Sequence, residues 1–305
     1  MLQICSSNYS LGKQKIDVKK YLEEIGRPQE VLKRTGFDFV NHLARQETIE
    51  DLVNDAFNNL NCSHKDDFDT LIYVTQTANH EIPGPSIMFL KKLNPERHIS
   101  NYDLSDGCTG FLQALELANM LITSGKSNKV VIICADQYSR LYTKKSTHLY
   151  PIFSDSASVT CVERNSAYLV NFKTFNRFSD YELLCTSGKS EVGEEKLKMN
   201  GLGLLYYIKN FVSQEVIKER NLLSLTSDNT NFVSHQASRI AVETLSAETG
   251  INNLNFNTPL LGNLTSSSIP QQLKDNKLEL EKIPRSYFIT FGIGLKTKLA
   301  LYERK

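Results

Sequence analysis

Asn101-Tyr-Asp-Leu-Ser-Asp-Gly-Cys108-Thr-Gly-Phe111 sets one thiol where an apolar strand hands over to a helix. Tyr102 and Leu104 read as the end of a buried strand. Gly107 and Gly110 allow a tight turn and close backbone approach, and Phe111-Leu-Gln-Ala-Leu-Glu-Leu-Ala-Asn-Met-Leu-Ile122 has helical spacing. Cys108 is therefore expected at a helix N-terminus. There, unpaired backbone N–H groups and the positive end of the dipole favour thiolate, the form that attacks an acyl carbon. Taken alone, the stretch is also readable as a helix start with a buried core cysteine.

On either side of it, strand patterns alternate with helix patterns. Asp17 to Ile25 reads as a short amphipathic helix capped by Asp17, and Thr48 to Leu60 as a second helix. Thr70 to Thr77 is β-branched and strand-like, and Pro83 to Leu93 reads as a helix entered at a proline. Lys129-Val-Val-Ile-Ile-Cys-Ala-Asp136 is the most apolar strand, with Ala157 to Glu163 expected beside it after the turn Phe153-Ser-Asp-Ser156. The order then begins again: strand Tyr168 to Phe175, helix Leu204 to Arg220, strand Asn231 to Ser234, helices Ala237 to Thr249 and Thr265 to Lys274, and strands Tyr287 to Phe291 and Lys296 to Glu303. Such alternation predicts an α/β fold with a mainly parallel sheet covered on both faces. Two similar βα halves, 1–165 with the cysteine and 166–305, would form one αβαβα sandwich with the Cys108 helix in its middle layer. Ser179 to Asn200, rich in glycine, glutamate and lysine, reads as a surface excursion.

Lysine plus arginine number 35 against 34 for aspartate plus glutamate in 305 residues, a net charge of +1. That balance gives no electrostatic case for nucleic acid or an anionic membrane. The N-terminus has no charged region followed by a sustained apolar run, and no later stretch approaches a membrane-spanning length, so a cytoplasmic protein is expected. The six cysteines form no CxxC pair, which argues against zinc or disulfides. Cys134, Cys161 and Cys5 read as core fillers.

Two later stretches give Cys108 a context. Asn231-Phe-Val-Ser-His235-Gln-Ala-Ser-Arg239 and Leu261-Gly-Asn263-Leu-Thr-Ser-Ser-Ser-Ile-Pro270 each put one polar side chain at a strand-to-helix junction. In α/β sheets these junctions lie at the carboxyl ends of strands, where ligands bind. Cys108, His235 and Asn263 could thus converge on one cleft, although His235 and Asn263 are each also readable as a cap or turn residue. The remaining histidines, His42, His64, His80, His98 and His148, lie in polar or loop contexts and read as structural.

Over most of its length the sequence resembles the β-ketoacyl-acyl-carrier-protein synthase III group of the thiolase superfamily. The matching segments are Arg34-Thr-Gly36, Cys108-Thr-Gly-Phe111, Phe153-Ser-Asp155, Met199-Asn-Gly201, His235-Gln-Ala-Ser238, Gly262-Asn263 with Ser268-Ile-Pro270, and Phe291-Gly-Ile-Gly294. They fall in the family's order and approximate spacing. The resemblance implies a thiolase-like fold and an acyltransferase without a bound cofactor or metal. Its substrates would be acyl and malonyl thioesters carried on acyl carrier protein or coenzyme A. Cys108 would take the acyl group, and His235 and Asn263 would donate hydrogen bonds to the malonyl thioester oxygen as carbon dioxide leaves. Backbone N–H groups of Cys108 and Ile293 would hold the oxyanion. By the same resemblance Ile82, Tyr138, Phe153, Leu197 and Phe291 line the acyl pocket, with Ile82 supplied across a homodimer interface.

The chain also departs from the family. The coenzyme A adenine is usually clamped by a tryptophan and an arginine; this chain has no tryptophan, and Glu30 and Thr147 stand in those places. The usual Gly-Asp-Gly-Ala-Gly turn is Ser154-Asp-Ser-Ala-Ser158. The helix after His235, which usually meets the acidic carrier, offers Arg239 alongside Glu243 and Glu248. Two other functions stay open at this point. One is acyl transfer from Cys108 to a hydroxyl or amine with His235 as general base, and the other is a silent subunit of a heterodimeric synthase.

Overall fold

The structure is a computed structural model and describes residues 2–27, 30–62, 65–80, 82–93, 96, 98–186 and 196–305. The first part of the chain forms strands β1 (Leu2–Leu11) and β2 (Gln14–Asp17), helices α1 (Val18–Glu24) and α2 (Glu30–Thr35), and strand β3 (Phe39–His42). Then come α3 (Ile49–Asn58), β4 (Thr70–Val74), α4 (Pro85–Leu93), β5 (Ser100–Leu104), α5 (Gly110–Thr123), β6 (Lys129–Asp136) and β7 (Ser156–Arg164). One five-stranded sheet runs in the order β1-β7-β6-β4-β5. Its strands obey the two-residue period. Leu71, Tyr73, Val131, Ile133, Ala157 and Val159 pack outward on Ile49, Leu52, Val53 and Phe57 of α3 and Phe89 of α4. Ile72, Val74, Val130, Ile132 and Cys134 pack inward on Phe111, Leu112, Leu115 and Ala118 of α5. Helix α3 starts where its sequence dictates, because Thr48 and Asp51 cap each other's backbone N–H groups.

The second part forms β8 (Tyr168–Asn176), a short ribbon of β9 (Leu184–Thr186) and β10 (Leu197–Met199), α6 (Gly201–Tyr207), α7 (Ser213–Leu222), β11 (Asn231–Ser234), α8 (Arg239–Thr249), α9 (Ser268–Asp275), α10 (Lys277–Lys282), β12 (Arg285–Gly292) and β13 (Lys296–Arg304). Its sheet runs β11-β12-β13-β8. Val233, Phe288 and Ala300 turn inward to the same core as α5, together with Ile269 of α9. Tyr287, Ile289, Leu299 and Leu301 turn outward onto Val216 of α7 and Val242 and Leu245 of α8. The layers are thus helices, sheet, central helices, sheet and helices, the thiolase-like αβαβα order.

Two expectations are corrected. The sheets are mixed rather than mainly parallel: β4-β5, β4-β6 and β11-β12 are parallel, while β1-β7, β6-β7, β12-β13 and β13-β8 are antiparallel. The link from β6 to β7 contains one 3₁₀ turn, Tyr138–Leu141, and no crossover helix, so the chain returns antiparallel. Likewise β5 is not a buried strand. It closes one edge of its sheet, and its residues are exposed or half-buried. Helix α6 starts earlier than its pattern predicts, at Gly201, where the Asn200 side chain accepts from the Gly203 N–H at 2.9 Å, and a π turn over Ile208–Val212 joins it to α7. Of the expected excursion, residues 187–195 lie outside the described residues; the flanks form the β9-β10 ribbon.

Candidate active site

Three turns from distant parts of the chain close around one cavity of about 580 Å³. Cys108, His235 and Asn263 all line it, with a largely apolar wall that includes Phe153, Leu184, Met199, Leu204, Ile208, Ile240 and Phe291. Arg34 and Leu202, also in the lining, are exposed and mark its opening. Among the described residues no group of three or more metal-ligating side chains gathers.

Cys108 stands two residues before α5. The turn that holds it is packed on every side, so that a Cβ on Gly110 would come within 2.4 Å of Val74 and one on Gly107 within 2.5 Å of the Gln76 side chain. From the other sheet, Gly292 presses so close that a Cβ there would lie 2.7 Å from Cβ and 3.0 Å from Sγ of Cys108. That approach sets the backbone of Ile293, the next residue, beside the thiol. Burial pushes the Cys108 thiol up to about 12, and the Asp136 and Asp106 carboxylates add to it. The helix terminus does not prevail, because desolvation of a fully enclosed anion outweighs a dipole contribution of about 1 kcal/mol. At rest Cys108 is therefore a thiol.

His235 follows β11, and its backbone N–H donates to Ile289 O at 2.8 Å. Its ring lies edge-on to Phe291, with centroids 5.7 Å apart. Burial lowers its pKa to about 3, so the imidazole is neutral at physiological pH and a weak base. Nδ1 is buried without a hydrogen-bond partner among the described residues, which leaves Nε2 as the nitrogen able to meet a ligand. Asn263 is held rigidly. Its Oδ1 accepts from the Thr265 N–H at 2.9 Å, and Nδ2 donates to Ala237 O at 3.3 Å, two residues beyond His235. One N–H of Nδ2 then remains for a substrate. Gly262 shapes this turn: its φ is +77°, and a Cβ would lie 2.4 Å from Ser154 Oγ.

The other expected pocket residues divide. Phe153 and Phe291 line the cavity, whereas Tyr138 and Leu197 lie buried in the apolar cluster that contains Phe153. Tyr138 donates to Gln76 Oε1 at 2.6 Å. Ile82 is 90% exposed and is not among the described residues that line this cavity.

Sequence reading missed Asp136. Its carboxylate, fully buried at the end of β6, accepts from the Gln76 N–H and the hydroxyls of Thr75 and Thr77 on one oxygen, and from those of Thr265 and Ser266 on the other. It thereby ties the Asn263 turn to the first sheet. Burial pushes its carboxyl up while these donors pull it down. The available signal was a lone carboxylate ending the most apolar strand, a group that must find partners when buried. His42 was misplaced as well: it is a buried strand residue rather than a loop residue. Its Nε2 lies 3.2 Å from Phe153 O and its pKa is lowered by burial, so its part is structural. His64 lies outside the described residues.

The chain is similar in sequence and fold to known proteins. Residues 102–179, which span Cys108 and the Phe153 turn, match the family model for 3-oxoacyl-[acyl-carrier-protein (ACP)] synthase III. The β-ketoacyl-[acyl-carrier-protein] synthase III of Neorickettsia sennetsu is 24% identical over 289 residues, 90% of this chain and 89% of that protein. That of Rickettsia typhi is 28% identical over 278 residues, covering 87% and 84%. The chain is thus similar to synthase III proteins over most of its length. The crystal structure of 3-oxoacyl-[acyl-carrier-protein] synthase III from Aquifex aeolicus superposes with a TM-score of 0.86 over 99% of this chain and 100% of that one, at 21% identity. No helix among the described residues of this chain is long and apolar enough to cross a membrane.

Proposed function

We propose that this protein is a condensing enzyme of the β-ketoacyl synthase type, which takes an acyl group from a phosphopantetheine thioester onto Cys108 and joins it to a malonyl unit with loss of carbon dioxide. The observation that carries the reading is the convergence of Cys108, His235 and Asn263 on one apolar-walled cavity. In the first half-reaction Sγ attacks the acyl carbon, the phosphopantetheine thiolate leaves, and the thiol proton passes to it. Backbone N–H groups of Cys108 and Ile293 receive the oxyanion, a type of donor worth about 3 kcal/mol. In the second, the malonyl carboxylate leaves as carbon dioxide, and the enolate oxygen is held by His235 Nε2–H and Asn263 Nδ2–H. The enolate carbon then attacks the acyl-cysteine carbonyl, the C–S bond breaks, and the Cys108 thiolate leaves and takes up one proton from solvent. The low basicity of His235 supports this donor role over the general-base transfer to a hydroxyl or amine, since a neutral imidazole can donate without being charged. The division at 1–165 and 166–305 is part of the proposal, supported by each sheet drawing its strands from one side of that boundary. A cytoplasmic setting is likewise proposed, in keeping with six free cysteines.

The donor is proposed to be carrier-borne. Arg27 donates to Thr147 Oγ1 at 3.1 Å, so a guanidinium stands where the clamp is missing one, but Glu30 supplies no aromatic face. Losing that stacking surface costs about 1 kcal/mol, so the same acyl group is expected to reach Cys108 about fivefold more efficiently from acyl carrier protein than from coenzyme A. Intact-mass kinetics with both donors tests the function and the preference together. Absence of any acyl adduct would sink the function, and coenzyme A equal to the carrier would sink the preference.

A homodimer is also proposed. The outer edge of β5 is unpaired among the described residues, and Ile82, Ile87 and Tyr102 expose apolar surface near it. In such a dimer the family resemblance implies that Ile82 of one copy reaches the other copy's cavity. Sedimentation velocity at micromolar concentration is expected to show a dimer, and a monomer would refute this assembly.

A further inference from the structure

The second sheet holds the nucleophile turn through charge. Asp106, two residues before Cys108, accepts from the Gly107 N–H and from Thr109 Oγ1 through Oδ1, each at 2.9 Å. Its other oxygen is ion-paired with Lys296 Nζ, and the two side chains are only 11% and 22% exposed. Lys296 opens β13 immediately after the Ile293–Leu295 turn, whose preceding residue, Gly292, abuts Cys108. Two residues on, and therefore on the same face of the strand, Lys298 is buried against α5. There it pairs with Glu116 and donates to Gln113 Oε1 at 3.3 Å and to Thr174 Oγ1 at 3.0 Å. Successive lysines of one strand thus run down the nucleophile turn and its helix. An enclosed ammonium or carboxylate that loses its partner is strongly destabilised, so such pairs resist sliding and set register.

We propose that Asp106 and Lys296 are positioning residues: their ion pair holds the Cys108 turn against the Gly292–Leu295 turn and so fixes the spacing of the Cys108 and Ile293 backbone N–H groups that share the oxyanion. The inference rests on Cys108 being the nucleophile. It assigns the pair a part in the transition state rather than in substrate binding. The charged and titratable groups around the thiol are Asp136 at the end of β6, Tyr138 beyond it, neutral His235 after β11, Asp106 in its own turn and Lys296 from β13. Asp106 raises the Cys108 thiol, and Lys296 is ion-paired with that carboxylate.

The test compares Lys296→Met, Lys296→Arg, Asp106→Glu and the double variant Asp106→Asn with Lys296→Met. Readouts are kcat and KM for acyl transfer, the Tm, and the pH dependence of Cys108 alkylation by iodoacetamide. A displacement near 1 Å at a reacting centre costs up to about 100-fold, so Lys296→Met is expected to lower kcat by about 30- to 100-fold with KM changed less than about threefold. Lys296→Arg should recover most of the loss. Alkylation of Lys296→Met should shift to higher pH, because the Asp106 carboxylate is left uncompensated beside the thiol. In the double variant the alkylation profile should return to the original or lower pH while kcat stays low, since the charge is gone and the tether is not restored. If Lys296→Met unfolds, Asp106→Glu decides the matter. It keeps the charge but lengthens the arm by one methylene, and is expected to lower kcat more than about tenfold at near-normal Tm. Normal kcat in a folded Lys296→Met or Asp106→Glu protein overturns the inference, as does restored kcat in the double variant. The Cys108→Ala protein separates the two ideas: full turnover there refutes the nucleophile assignment itself, whereas an inactive Cys108→Ala beside a normal Lys296→Met refutes only the positioning role.

Discussion

Cys108→Ala is expected to reduce condensation by at least about 10³-fold and to leave the protein without an acyl adduct, because the covalent half-reaction loses its only nucleophile. Substrate binding should survive, since the cavity wall is built by other residues. Peptide mapping of the unaltered enzyme after brief exposure to a short acyl thioester should find the group on Cys108 and on no other cysteine. Cys134 is fully buried in the core between the first sheet and α5, and Cys161 in the core beneath α3; burial raises both thiols and neither lines the cavity. Cys108 is also raised by burial, and what distinguishes it is place: its sulfur faces the cavity and lies against the Gly292 backbone. An adduct on Cys134 or Cys161 with Cys108 unmodified would refute the mechanism.

The second large effect separates the half-reactions. His235→Ala or Asn263→Ala is expected to cut carbon dioxide release from a malonyl thioester by at least about 100-fold while changing Cys108 acylation less than about fivefold. Each variant removes a donor aimed at an enolate oxygen that exists only after decarboxylation begins. His235 is suited to that part because burial holds it neutral down to about pH 3, so its N–H is present without a positive charge over the whole working range. Stopped-flow acylation and radiolabelled carbon dioxide release measure the two steps independently. Equal loss in both would point to His235 as a general base serving the first step, and to acyl transfer without decarboxylation.

Much of the site could be read along the chain. The glycines around Cys108, the apolar periodicity of α5 and the polar residues ending β11 and opening the 262–270 turn are local signals, because backbone freedom and side-chain periodicity depend on neighbours in sequence. The same holds for the Thr48–Asp51 cap that starts α3. Strand direction was not legible in this way. Nothing within β7 tells whether it lies parallel or antiparallel to β6; that follows from the length and content of the link between them. The edge position of β5 was hidden for a related reason, since Tyr102 and Leu104 look like core residues until the absence of a further described strand leaves one side open.

The charges were least legible of all. Asp136, Asp106 and Lys296 sit among ordinary polar residues in sequence, and an ion pair between positions 190 residues apart leaves no periodic trace. Their roles arise only when the two sheets close on α5 and exclude water, because a carboxylate that costs little in solvent must then be matched by donors or an ammonium. By itself, then, the sequence determined the elements, the family's ordered motifs and the three polar groups at the cleft. Tertiary structure alone decided how close Gly292 comes to Cys108, which apolar side chains wall the cavity and which charge faces which, since burial and long-range contact are properties of the packed chain.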